Sequence, residues 1–280
     1  MSVFKRFDRQ NDVVENQRVK VSSGIFSGGS GTLTSFFTSS TQQATGSFLH
    51  IYHKDPNTDT TAEIQFDIGY AHFEGSGSLG NTTKLTEGKR ESAANYRQFA
   101  NVLLPPATEK FTFTNAPSAS NDFYFMAFNR ARMREKIDPG NWEIKVGSSI
   151  GTGTAVVNTT AAAQTGGALG MFYPDLGIIL LNATSMDDIA GFGTGRSTNA
   201  FDNNPRKFFN KIVTGANTQF RREEEISSTN FFCRVPNKEY NFTSNPTFFT
   251  GSDGSFTNAA FFKDPKTFIT QVGLYNDDNE

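Results

Sequence analysis

The sequence predicts a mainly β chain: antiparallel sheets in a sandwich-like arrangement, with long loops and one or two short helices. Three observations carry this. Phenylalanine occurs 29 times against 11 leucines, and Phe, Val, Ile and Thr favour strands whereas Leu, Glu, Lys and Met favour helices. Several segments alternate apolar and polar residues at period two. The 25 glycines, with abundant Ser, Thr and Asn, supply turn chemistry.

Met1 to Gln17 is polar, with Phe4 and Phe7 as its large apolar groups. It reads as an N-terminal arm over residues 1–18, either docked by those two rings or frayed. A β region with one helix is expected over 19–115 and a second β region over 116–280, either joined at the loop Asn115 to Asn121 or forming one domain.

Val19 to Ile25 reads as a short strand, Ser27 to Gly31 as a flexible loop, and Leu33 to Thr38 as a further apolar run. In SFLHIYH, Phe48, His50 and Tyr52 share one face while Leu49, Ile51 and His53 share the other. AEIQFDIGYA places Ile64, Phe66, Ile68 and Tyr70 inward and Glu63, Gln65 and Asp67 outward. Together they predict a hairpin or meander. Glu91 to Leu104 is the best helix, with Ala93, Tyr96, Phe99, Ala100 and Leu103 on one face, Ser92 placed to cap it and Pro105-Pro106 to stop it.

Phe111 to Thr114 reads as a short strand. Phe125 to Val146 is the best-specified unit: a strand apolar on both faces, a charged segment, the turn Asp138-Pro139-Gly140-Asn141, and a strand with Trp142, Ile144 and Val146 on one face. It predicts a scaffold hairpin. Gly147 to Gly170 reads as a mobile loop or one that orders against a neighbour. Gly177 to Leu181 is apolar without alternation, as in a strand buried on both faces. Ser185 to Ile189 reads as a capped helical turn, and Pro205 to Val213 fits a helical face with Pro205 at its first position. Phe231 to Val235 and Thr267 to Tyr275 read as strands. The last has no return strand in the sequence, so it is expected to pair inside a sheet or with a neighbouring chain, or else the sequence stops short of the natural terminus.

Composition excludes several function classes. A net charge of −2 argues against nucleic-acid binding. One cysteine, Cys233, excludes an internal disulfide framework and a thiolate metal cluster; it is expected to be a buried filler. The N-terminus carries no signal-peptide pattern and no stretch has the roughly 20 apolar residues of a membrane helix. The four N-x-Thr triplets, at Asn81, Asn158, Asn182 and Asn241, are then incidental.

Chemistry is sparse. His50 and His53 face opposite sides of a strand and cannot share a metal without a bulge; a three-ligand site with His72 is the minor reading, and one packed and one exposed histidine the main one. Asp55, Asp59, Glu63 and Asp67 offer carboxylates, but nothing selects a catalytic pair. No phosphate-binding loop or nucleophile elbow is present. No catalytic residue, cofactor or metal is therefore expected. Arg130, Arg132, Arg134 and Lys136 form the one basic run, either a solvated face or a contact row against acidic groups of another subunit. Phe248 and Phe249 stand in an Asn/Thr/Pro-rich loop, and such rings anchor protein interfaces. These six are the candidate protein-contact residues.

LTSFFTSSTQ, NYRQFANVLL, NRARMREKIDPGNWEIKV, MFYPDLGIILLNA and DPKTFITQVGLYNDDNE, in this order, resemble virion structural proteins of contractile-tailed phages of marine cyanobacteria. The resemblance is loose over Gly147 to Gly170 and Gly191 to Asn204, and none of its motifs is a catalytic signature. It implies a non-enzymatic part of a phage particle, in the tail, baseplate or neck, assembled in the host cytoplasm. Its implied partners are copies of itself and other virion proteins, without nucleic acid or membrane. A receptor- or glycan-binding β module at the particle surface is the alternative.

Overall fold

A computed structural model describes residues 6–45, 48–77, 91–113, 118–147, 154–157, 170–189, 204–234, 245–250, 253–264, 271–276 and 278. The chain divides into two compact units. The larger is Val19–Ile226; the smaller joins Met1–Arg18 to Ser227–Glu280. No cut falls at 115/116, because β4 (Ile64–His72) and β5 (Asp122–Phe128) pair across it over seven residues.

The larger unit is built on two antiparallel sheets. One runs β3 (Phe48–Tyr52), β4, β5, β9 (Ile178–Asn182), β8 (Gly170–Tyr173). Its cross-strand rows explain the sequence pattern. Leu49, Ile68, Met126, Ile179 and Phe172 lie side by side on one face. Phe48, Gly69, Phe125, Leu180 and Met171 lie side by side on the other. Both faces are apolar, so both need cover.

Helix α2 (Glu91–Leu103) supplies one cover. Its Tyr96 and Ala100 pack with Phe111, Phe113, Phe123, Phe125 and Leu180. Gly69 makes room in the same layer: a Cβ there would sit 2.3 Å from the Phe125 ring. Ser92 is not a cap. It is buried in the helix and its hydroxyl donates to the Ser76 carbonyl at 2.9 Å.

The second sheet covers the opposite face. It runs β1 (Val13–Gly24), β10 (Thr218–Phe231), β6 (Lys136–Gly147), β7 (Thr154–Val157), with β2 (Thr32–Leu33) also on β10; the residues of β1 before Val19 and of β10 after Ile226 are counted with the smaller unit. Helix α5 (Asn204–Gly215) resolves an ambiguous stretch as helix and sets Phe208, Phe209 and Ile212 into the main core. Phe208 reaches Tyr124 with ring centroids 5.1 Å apart. The sandwich reading thus holds, with three layers where α2 lies outside the first sheet.

Helices exceed the one or two expected. Besides α2 and α5 there are α1 (Ser40–Thr45), α3 (Arg130–Met133), α4 (Ala183–Ile189) and α6 (Ala260–Lys263). Asn182 caps α4, accepting the Thr184 N–H at 3.0 Å.

The expected hairpin is overturned. β5 and β6 belong to different sheets, and α3 carries the chain between them. Asp138 to Asn141 lies within β6 as a bulge, opposite a single step of β10 between Phe220 and Arg222. Its turn chemistry is real: Asp138 accepts the Gly140 N–H at 3.0 Å and the Asn141 amide at 2.6 Å. The tight loop kinks one strand rather than reversing the chain.

Other expectations change in detail. β1 begins at Val13, well before Val19. Ser27–Gly29 forms a 3-10 turn. Of Leu33 to Thr38, only Leu33 lies in a strand, and Phe37 bridges Tyr52. Phe111 makes only an isolated bridge to Ser120. Gln65 is buried, not outward, because its amide serves Ser27 and the Glu63 carbonyl. β10 ends at Phe231, and residues 232–234 form no strand. Cys233 is exposed, against the buried filler expected. Residues 271–276 form no strand and are exposed. Residues 148–153, 158–169, 190–203 and 265–270, with Tyr240 and Phe242, lie outside the described residues, as do the expectations made for them.

Candidate contact surfaces

The basic run is not an extended row. Asn129 caps α3 through the Ala131 N–H at 3.0 Å, so Arg130 and Arg132 sit on a helical turn. Arg134 then takes a left-handed φ of 58° and redirects the chain into β6.

Each cation finds a partner within the larger unit. Arg130 donates to the Asp175 carbonyl at 2.6 Å. Arg132 pairs with Glu63. Arg134 donates to both Glu224 oxygens, at 2.8 and 2.9 Å. Lys136 meets Glu223 at 3.1 Å, and Lys20 reaches the same oxygen at 3.2 Å. Glu135 accepts the Glu225 N–H at 2.8 Å.

Hydrogen bonds from Lys136 and Lys20 hold the Glu223 carboxyl below its ordinary range, and Glu223 in turn raises Lys136. Arg134 and Lys136 thus meet the chain's own Glu224 and Glu223, brought alongside β6 by the register of β10 on it. Glu223 is buried, whereas Arg132–Glu63 and Arg134–Glu224 each have an exposed partner and fix geometry more than they add stability.

Phe248 and Phe249 belong to the smaller unit. Asn245 caps a 3-10 turn, Pro246–Phe248, that leads into β11 (Phe249–Thr250). β11 pairs with β12 (Ser255–Phe256), and Gly254 takes the left-handed conformation in between, at φ 68°. Helix α6 follows. Phe248 contacts Phe249, Phe256 and Phe261 at 5.8, 5.8 and 5.0 Å between centroids. Phe256 contacts Phe262 at 6.4 Å.

These five rings meet mostly edge to face, the geometry their quadrupoles favour. None is buried, and Phe262 is 80% exposed. Phe256, Phe261 and Phe262 were not singled out from sequence. The signal was present as Phe residues placed on both sides of the Asp253-Gly254 turn.

The three histidines lie apart and have separate partners. His50 pairs with Asp67, its cross-strand neighbour, at 2.5 Å between Nδ1 and Oδ1. His53 meets the Gln65 amide at 3.2 Å, and His72 accepts the Glu74 N–H at 3.1 Å. Burial pushes the Asp67 carboxyl up, and its bond to His50 offsets part of that.

The other carboxylates serve local geometry. Asp59 accepts the Thr61 hydroxyl and N–H, which lower it to about 2. Asp55 accepts the Asn57 N–H at 2.9 Å. Among the described residues, no group of three or more His, Cys, Asp or Glu side chains is placed to hold a metal ion, and no helix is long and apolar enough to cross a membrane.

No family model, curated protein or solved structure matches this chain.

Proposed function

We propose that this chain is a non-enzymatic structural component of a tailed-phage virion, in the tail, baseplate or neck, that works through contacts with copies of itself and other virion proteins. One observation carries the contact reading. Every described apolar side chain that is buried falls between Ile25 and Phe220, in the larger unit. The smaller unit exposes Phe7, Phe231, Phe232, Phe256, Phe262 and Leu274. Apolar groups without a core gain roughly 25 cal/mol for each Å² removed from water, and a neighbouring protein surface offers that burial.

The particle assignment rests on the resemblance in sequence, and with it assembly in the host cytoplasm. Phenylalanine favours protein over glycan as the partner. Its ring has no polar tip, whereas a sugar presents hydroxyls that need hydrogen-bond partners once desolvated.

Sedimentation velocity on the purified full chain tests the reading. Association should grow with concentration, and Phe262→Asp should weaken it by roughly tenfold or more, as loss of an interface anchor does. A chain that stays monomeric at every concentration and binds a host-surface glycan would replace this reading with the receptor-binding one.

A further inference from the structure

The first sheet has two edges, and they are treated differently. On β3 the outward backbone is occupied. The His50 N–H donates to Gln42 Oε1 at 3.1 Å, and Tyr52 exchanges two hydrogen bonds with Phe37, at 2.9 and 3.0 Å. The residues before β3 therefore close that edge. On β8 no described residue bonds the outward backbone of Gly170 to Phe172. Its sequence, Gly-Met-Phe-Tyr, carries none of the charges or prolines that usually protect an edge strand. An apolar edge of that kind is a template for one more strand.

The same chain holds a segment suited to be that strand. Residues 271–274 read Gln-Val-Gly-Leu, alternate at period two, and form no strand in the structure. Val272 and Leu274 are 54% and 56% exposed. Strand addition would satisfy the backbone of both segments and remove the two apolar side chains from water.

We propose that the 271–274 segment of one copy adds to the β8 edge of a second copy, antiparallel or parallel, as a sixth strand of that sheet. This rests on the contact reading above and names its partner. The donor and acceptor patches differ, so the contact closes by reciprocal exchange between two copies or propagates as a ring or filament.

Disulfide trapping between two single-cysteine chains tests this. Each is made in the full-length Cys233→Ser background, one with Val272→Cys and the other with Met171→Cys. Leu274→Cys, on the same face, serves as a second donor probe in case of a two-residue register shift. Mixed and oxidised, the chains should give a covalent heterodimer between one donor and the acceptor. Lys substitution at the other donor position, Leu274→Lys or Val272→Lys, should reduce its yield several-fold. Circular dichroism and thermal melting of each variant establish that the sheets are intact. Well-folded chains that associate by sedimentation yet give no cross-link would overturn the strand addition and leave the contact reading standing. A disulfide formed only within one chain, in the Val272→Cys/Met171→Cys double variant, would also overturn it. Failure of the wild-type chain to associate at all would sink both.

Discussion

Trp142 stacks on Phe220, with ring centroids 5.8 Å apart and planes 15° from parallel. The two are direct cross-strand partners on β6 and β10. Phe220 also meets Phe128 of the opposite sheet at 4.5 Å, and Trp142 meets Phe172 at 5.1 Å. This aromatic pair is therefore where the two sheets join. Phe220→Ala should cost about 3–5 kcal/mol, since it removes a fully buried ring from between two layers that cannot collapse freely. Urea unfolding measures the loss. Trp142 is the only tryptophan in the chain, so its emission reports the same site.

Gly177 should not tolerate a side chain. Its φ of 66° lies in the left-handed region, and a Cβ would fall 1.8 Å from Met133 Sδ. Gly177→Ala therefore has two penalties, a backbone one of about 1–2 kcal/mol and a steric one. Met133→Ala alone should also destabilise, by about 2–5 kcal/mol, through the cavity it leaves. The double variant should lose less than the sum of the singles, because removing the thioether relieves the clash while the backbone penalty persists. Additive losses across the cycle would show that the methionine moves aside without help.

Much of the larger unit is legible because its signals are local or periodic. Leu49 and Ile51 alternate with outward residues, and β3 and β4 pair as expected. Ala93, Tyr96 and Ala100 mark the buried face of α2. The Asp138 loop misleads because its chemistry is local while the strand that decides its role, β10, lies far along the chain. Asn and Gly beside Pro specify a tight loop, not whether the chain reverses after it. The basic run misleads for a related reason. Charge order gives neither the helical turn at Arg130–Met133 nor the register that sets Glu223 and Glu224 against Lys136 and Arg134. Phe248 and Phe249 were legible as aromatics in a polar setting. Their ring partners required the β11–β12 pairing.

Acid should weaken the junction of β1, β6 and β10 through Glu223. Lys136 and Lys20 hold this carboxyl below its ordinary value of 4.5. A depressed folded pKa means that its contribution is present above pH 4.5 and is lost as pH falls below that value through the lower folded one. Glu223→Gln should therefore lower the melting temperature near neutrality and flatten its fall on the acid side. Lys136 acts on the opposite limb. Raised by the same carboxylate from 10.5, it contributes fully below that value and loses the contribution as pH rises from 10.5 through its higher folded value. Melts from pH 3 to 7, in low and high salt, separate this pair from the exposed ones, and an unchanged acid limb in the variant would assign the loss to other carboxylates.

Tyr96 ties helix α2 to the loop beneath it by a single hydroxyl. That oxygen donates to the Ser120 carbonyl at 2.7 Å and accepts the Phe111 N–H at 3.1 Å. Phe111 and Ser120 also pair with each other as an isolated bridge, so the hydroxyl completes a small buried network. The ring lies 5.0 Å from Phe123 and 5.7 Å from Phe111. Tyr96→Phe keeps these packing contacts and removes only the oxygen. It leaves the Phe111 N–H without its acceptor in a site closed to water, at a cost of about 1–3 kcal/mol. Hydrogen exchange distinguishes this from a general loss of packing. Amides of residues 111 and 120 should lose protection in the variant by more than those of β5, which keep their own ladder on β4 and β9. Equal loss across α2 and β5 would mean that the helix is held by its apolar face alone.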